Sequence, residues 1–252
     1  MPRGLKDLND FRRIFYNSTA QMRGETIPRG DSHAMKSYSV WCQHRILPLL
    51  DTVKRDARIL ELGANSGYLL EFLKNHGFAN VEGIDISEKA VSRANLEGAN
   101  VKLADAFEYL DSQQNTFDVI LAIEFIEHFT RDEATLLLQK IYASLKLGGR
   151  LIIHTPNGQG LLARAIIYSD LTHLTVFTPR SLEQVLTLVG FGNIRFRETG
   201  PIAKDLTGLT RTLLWRLIRL IANSVRLIEV GVKQEVWTEN MICCCQKQGS
   251  TS

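Results

Sequence analysis

No uncharged apolar run in this chain approaches the length needed to cross a bilayer. Met1 to Phe15 is charged throughout and lacks the apolar core of a secretory leader, so the expectation is a cytoplasmic protein. A large excess of one charge is missing too. The net charge of +3 is too small to argue for nucleic acid by itself. Cysteine is sparse, and three of the four are contiguous, Cys243 to Cys245. Neighbouring strand residues point to opposite faces, so these three cannot converge on one metal. They read as small apolar residues in a reduced compartment. These absences leave an ordinary globular composition, long enough for one full α/β domain and one or two extra segments.

The most informative stretch is Arg58 to Phe72. An apolar run, Ile59 to Leu62, turns through Gly63-Ala64-Asn65-Ser66-Gly67 and leaves as an amphipathic helix carrying Leu69, Leu70, Phe72 and Leu73. Strand, glycine turn and helix form the nucleoside-cradling unit of doubly wound α/β proteins. The alternation continues. Asn80 to Asp85 reads as a second strand, Ser87 caps a helix over Glu88 to Asn95, and Val101 to Ala104 is a third strand. Phe117 to Ile123 is a fourth, apolar enough for burial on both faces. Thr130 and Glu133 form a capping box for a helix with Leu136, Leu137, Ile141 and Leu145 on one side, stopped by Gly148-Gly149. Arg150 to His154 is a fifth strand, Thr178-Pro179 opens a helix, Ile194 to Glu198 is a sixth strand and Val236 to Cys245 a seventh. The fold class is therefore α/β, a doubly wound, seven-stranded, mostly parallel sheet. It divides into an amino-terminal arm or lid over 1–50, a core over 51–199 and 236–247, and a helical insertion over 200–235. In the arm, Ser37 to Leu50 reads as a helix that either covers a ligand site or only packs; Arg23, Arg29 and His33 are its polar candidates.

Ligands of such sheets lie across the carboxyl ends of the strands, where Glu61, Gly63, Asp85, Asp105, Glu124 and His154 fall. Asp85, 22 positions after Gly63, suits the two hydroxyls of a ribose, and Asp105 the exocyclic amine of a purine. That describes an adenosine site, for a dinucleotide or for S-adenosylmethionine. A dinucleotide needs G-x-G-x-x-G with helix N–H groups aimed at a diphosphate. Here the pattern is Gly63-x-x-x-Gly67 with Glu61 before it. A carboxylate repels a diphosphate and attracts an ammonium, which favours S-adenosylmethionine over a nicotinamide cofactor.

The motifs ILELGANSGY, VEGIDIS, ADAF, FDVILAIEFIEHF, LKLGGRLIIHTPN and HLTVFTPRSLEQVLTLVGF, in this order, resemble those of class I S-adenosylmethionine-dependent methyltransferases. The resemblance covers roughly Ile59 to Ile194 and the last strand. It implies Gly63, Ala64, Asn65 and Gly67 around the methionine part, Asp85 and Ile86 at the ribose, Asp105 and Ala106 near the adenine, and Ile123 beside the cofactor. Asn65 stands where the family usually has a middle glycine; Asn tolerates left-handed geometry better than most residues. It is also the feature that keeps open a non-catalytic, cofactor-binding or membrane-docking module.

Glu124, Glu127 and His128 are spaced i, i+3, i+4, so one helical turn would place all three on one face. Two carboxylates and an imidazole suit a divalent metal. This E-x-x-E-H pattern resembles the ubiquinone-pathway O-methyltransferases and the small-RNA 3′-end methyltransferases. There it implies a metal held with a later histidine, for which His173 is the match. Glu127, His128 and His173 are thus the catalytic candidates, and Glu124, Glu127, His128 and His173 the metal set. The alternative is that these residues line the site without metal. His154 reads as a pocket-side strand end, His44 and His76 as structural.

Leu209 to Glu229 carries a narrow polar stripe, Thr212, Arg216, Arg219, Asn223 and Arg226, in an otherwise apolar helix. A helix this apolar must bury its wide face, against the arm, against another subunit of a homodimer, or in a membrane interface. The expectation is a methyltransferase acting on an oxygen of a small molecule, saccharide or lipid-linked acceptor, with an RNA 3′-end methyltransferase as the alternative if Glu124, Glu127, His128 and His173 hold a metal. No basic stripe with interleaved aromatics favours nucleic acid.

Overall fold

A computed structural model describes residues 32–249, with side chains from Met35 onward. Arg23 and Arg29 lie outside the described residues, as does the side chain of His33. The elements are α1 (Ser32–Arg45), β1 (Arg58–Leu62), α2 (Tyr68–Asn75), β2 (Asn80–Asp85), α3 (Glu88–Leu96), β3 (Val101–Leu103), α4 (Ala106–Asp111) and β4 (Phe117–Ile123). They continue as α5 (Arg131–Ser144), β5 (Leu145–Pro156), α6 (Arg164–Tyr168), α7 (Pro179–Val189), β6 (Phe191–Glu198), α8 (Leu206–Val230) and β7 (Asn240–Lys247). The seven strands form one sheet in the order β3-β2-β1-β4-β5-β7-β6. The β1–β5 pairings are parallel, and β7 runs antiparallel between β5 and β6.

The order reverses between β1 and β4, which opens a crevice above their carboxyl ends, where such sheets bind ligands. Two apolar layers enclose the sheet. One gathers Leu60, Leu62, Phe117, Ile120, Leu137, Leu138 and Leu182; the other gathers Ile46, Ile59, Leu69, Leu70, Leu73, Val119 and Leu121. The cysteine run shows the pleat directly. Cys243 and Cys245 enter the first layer and Cys244 packs against the second.

The caps stand where the sequence places them: Ser87 accepts from the Ala90 N–H, and Thr130 with Glu133 forms a reciprocal capping box. Several boundaries differ. The arm helix begins at Ser32 and stops at Arg45, and a separate 3₁₀ turn, Leu47–Leu49, follows around Pro48, which cannot continue a helix. α5 ends at Ser144, so Leu145 opens β5 and Leu136 lies exposed. β7 starts at Asn240; Val236 and Trp237 are buried in the loop before it, where Glu198 accepts from the Trp237 N–H.

Gly83 of β2 lies against the opening turn. A Cβ there would run into Ala64 Cβ and come within 3.0 Å of Leu70 Cδ1. Gly83→Ala therefore overpacks the join between strand and turn. It is expected to lower the urea midpoint by the equivalent of about 1–3 kcal/mol with an unchanged m-value.

Candidate active site

The turn after β1 is held in left-handed backbone at three positions: Gly63 (φ 71°), Asn65 (φ 45°) and Gly67 (φ 73°). Asn65 is pinned there because its N–H donates to Asp85 Oδ2 at 2.8 Å. Packing adds a second reason for the glycines. A Cβ on Gly63 would sit 2.6 Å from the Phe125 ring, and one on Gly67 2.5 Å from Ala99 Cβ. Ala64 and Ala106 are themselves buried in the two core layers, so what they offer a ligand is backbone. Ile86 and Ile123 are half-buried, Ile123 paired across to His154.

Negative charge collects at the strand ends. Glu61 is buried, and its Oε2 has no hydrogen-bond partner. Burial, then the nearby Asp85, pushes its pKa well above the usual carboxylate range. Asp85 accepts from Ser87 N–H through Oδ1 and from Asn65 N–H through Oδ2; burial raises its pKa and these donors oppose the rise. Asp105 uses Oδ1 to cap α4, accepting from Phe107 and Glu108, which leaves Oδ2 for a ligand.

The arm helix packs beside Glu61 and His154. Tyr38 stacks on Trp41 at 5.6 Å, and Trp41 meets His154 edge-on at 5.0 Å between ring centroids. Burial first, then Cys42 and Glu61, raises the Tyr38 pKa well above that of a free phenol. Burial, then Glu61, moves the Cys42 thiol up to about 12. The sequence marked Trp41 only as an apolar helix position and missed Tyr38.

The E-x-x-E-H stretch does not form one helical turn. Glu124 has φ 50° and precedes a short 3₁₀ turn, Ile126–His128. Its Oε1 lies 2.6 Å from His154 Nδ1. Burial is the largest single influence and would raise its pKa, but contacts with His154 and Glu127 and the proximity of His173 together hold it below the usual value. Glu127 is buried, accepts from the Thr155 hydroxyl at 3.0 Å, and has its pKa pushed well up by burial and by Glu124. It holds its proton beside the ionised Glu124.

His128 and His173 face each other, ring centroids 5.1 Å apart. His128 Nδ1 lies 3.2 Å from the Thr172 carbonyl, which can only accept. The Thr172 hydroxyl, 2.9 Å away, spends its proton on Asp170. Nδ1 therefore carries the hydrogen and Nε2 the lone pair. Burial first, then the charge of His173, lowers the His128 pKa and keeps the ring neutral. His173 Nδ1 is buried without a hydrogen-bond partner. One ligand atom each from Glu127, His128 and His173 lies within 4.8 Å of the others. Glu124 is not one of this group; its carboxyl lies against His154 and contacts Glu127. Thr172 and Asp170, which orient His128, were missed; the polar pair beside His173 in a leucine-rich stretch was the available signal.

A methyltransferase-domain family model matches residues 35–195. The chain is 26% identical to a ubiquinone biosynthesis O-methyltransferase of Thiobacillus denitrificans over 175 residues, 66% of this chain and 74% of that one. It is 30% identical to a protein of the same name from a Chelativorans species over 159 residues, 60% of this chain and 61% of the relative. A crystal structure of a SAM-dependent methyltransferase from Archaeoglobus fulgidus superposes with a TM-score of 0.65 at 22% identity, over 84% of this chain and 94% of that one. The chain belongs to the methyltransferase-domain family, as a class I S-adenosylmethionine-dependent methyltransferase.

The residues present suit that cofactor: an orphaned buried carboxylate, Glu61, for an ammonium, and Asp85 at the second strand end for a ribose. Glu61 also fixes a pH dependence. Its pKa in the folded chain is raised above the 4.5 of an exposed glutamate. The stability it allows is full below that value and is lost as pH rises through the folded pKa. Urea unfolding of cofactor-free protein is expected to show Glu61→Gln flattening this loss, by up to about 1.4 kcal/mol per pH unit. Calorimetry should show the same variant binding S-adenosylmethionine more weakly.

Proposed function

We propose that this methyltransferase acts on a hydroxyl oxygen of a small or lipid-linked acceptor. The observation that carries this reading is the His128 imidazole, oriented by Thr172 so that Nε2 carries the lone pair, in one cluster with His173 and Glu127. When bound, S-adenosylmethionine supplies an electrophilic methyl group. The protein must then place the acceptor in line with that group and relieve it of a proton. His128 holds the acceptor hydroxyl and takes its proton at Nε2, while Thr172 and Asp170 keep the ring in the required tautomer. Glu124 holds the ring of His154 at the pocket wall. The names of the two ubiquinone-pathway relatives support an oxygen acceptor.

A second reading rests on the convergence of three ligand atoms. Glu127, His128 and His173 would hold a divalent cation, which lowers the pKa of a hydroxyl bound to it. Cation binding requires Glu127 to give up the proton it otherwise keeps. The left-handed turn at Asn65 is hydrogen-bonded and intact, which supports a working cofactor site over a module that has lost turnover.

Methyl transfer to phenolic and lipid-linked acceptors tests both readings. His128→Ala is expected to lower kcat by about 100-fold or more while S-adenosylmethionine still binds by calorimetry. Loss of activity in EDTA, restored by Mg²⁺ or Mn²⁺, identifies the metal-assisted form. Activity that is indifferent to EDTA, with an acid limb set by His128, identifies the base. Full activity in both His128→Ala and His173→Ala overturns the proposal.

A further inference from the structure

The insertion helix α8 is folded inside out. Its inward positions are Gly208, Thr212, Trp215, Arg219, Ala222, Asn223 and Arg226, most of them polar. Glu198 Oε2 accepts from Trp215 Nε1 at 3.2 Å and pairs with Arg219 at 3.0 Å, and Asn223 Oδ1 accepts from the Gln234 N–H. The apolar residues face away from the protein: Leu213 is 54% exposed, Ile221 57%, Leu220 65% and Ile228 87%. Surface helices of soluble domains show the reverse. At 3.6 residues per turn, the exposed apolar positions span roughly half the circumference, along a helix about 38 Å long. A contiguous face of that kind marks an interaction site.

The geometry points to an anionic lipid surface as the occupant. First, the apolar arc is too wide for a helix–helix seam, which needs about two positions per heptad. Second, cations sit at its borders. Arg216 lies on one edge and Arg211 on the other, both exposed. Arg216, Arg219, Asn223, Ser224 and Lys233 line a cleft of about 350 Å³ at one border, and Arg216 and Lys233 have no ion-pair partner among the described residues. Exposed leucines beside unpaired cations match acyl chains beside phosphate headgroups. Third, no helix of the described residues is long and apolar enough to cross a membrane, so α8 lies in the interface plane.

The site would then open near the bilayer. Gln234 Nε2 donates to the Gln159 carbonyl, and Leu161 N–H to that of Trp237. These bonds join the root of α8 to the segment that carries exposed Leu161, Leu162, Tyr168 and Leu171 and then His173. The inference does not depend on which acceptor atom is methylated.

Co-sedimentation of the full chain with vesicles tests it. With phosphatidylcholine–phosphatidylglycerol vesicles the protein is expected to sediment, less so as salt rises, and to sediment poorly with phosphatidylcholine alone. Arg216→Ala and Lys233→Ala should each weaken partitioning by about fivefold. A triple variant, Leu213→Glu, Leu217→Glu and Ile221→Glu, should abolish it. The thermal midpoint of each variant separates lost binding from lost folding, and the two exposed single substitutions carry the test if the triple variant unfolds. Absence of wild-type sedimentation with the anionic vesicles overturns the proposal. So does light scattering that shows a dimer which the triple variant converts to monomer, since a second copy would then cover the face.

Discussion

Carboxyl groups crowded at one end of a sheet, Glu61 and Glu127 buried and Asp85 and Glu124 half-buried, are the constraint on which this molecule depends. Glu61, Asp85, Glu124 and Glu127 all stand at or just beyond the carboxyl ends of β1, β2 and β4. Carboxylates in that position need partners. Asp85 is met by backbone N–H groups, Glu124 by His154, and Glu127 by keeping its proton. Glu61 is left with an unpartnered oxygen under the aromatic residues of the arm. A cofactor that carries an ammonium and a sulfonium relieves this charge, whereas a diphosphate would add to it. The electrostatics thus select the cofactor independently of the glycine spacing.

One carboxylate links turn and pocket. Asp85 pins Asn65 in left-handed backbone and, by the same oxygens, stands ready for a ribose. Asn65 is tolerated in left-handed backbone, and the Asp85 acceptor holds its N–H there. The glycines on either side have no such choice, since Phe125 and Ala99 occupy the space a Cβ would need. Turn shape, strand spacing and ligand chemistry are therefore coupled, and a change in one displaces the others.

Much of this was legible in the chain, because the signals are local. Alternating apolar runs, Ser87 and the Thr130–Glu133 box are read within a few residues of where they act. The strand ends that carry Glu61, Asp85 and Asp105 follow from the same local pattern. The candidate site was legible in part. The spacing of Glu124, Glu127 and His128 suggests one helical face, but Glu124 adopts left-handed backbone and turns to His154, thirty positions away in sequence. Likewise Thr172 sets the His128 tautomer across a gap of 44 residues. Periodicity cannot report pairings that only the folded sheet creates.

The insertion helix shows the limit most clearly. A helical wheel gives the angle between polar and apolar faces, but it does not say which face meets the protein. For α8 that orientation is decided by Glu198 at the end of β6. Its two oxygens accept from Trp237 N–H on one side and from Trp215 and Arg219 on the other. Rotating the helix to bury its leucines would strip Glu198 of the Trp215 and Arg219 contacts and expose Arg219, while the body beneath offers backbone acceptors such as the Glu235 carbonyl rather than an apolar trough. The desolvated carboxylate holds the polar stripe inward, and the apolar face is turned outward as a consequence. An exposed apolar helix is thus what a polar anchor at its base produces.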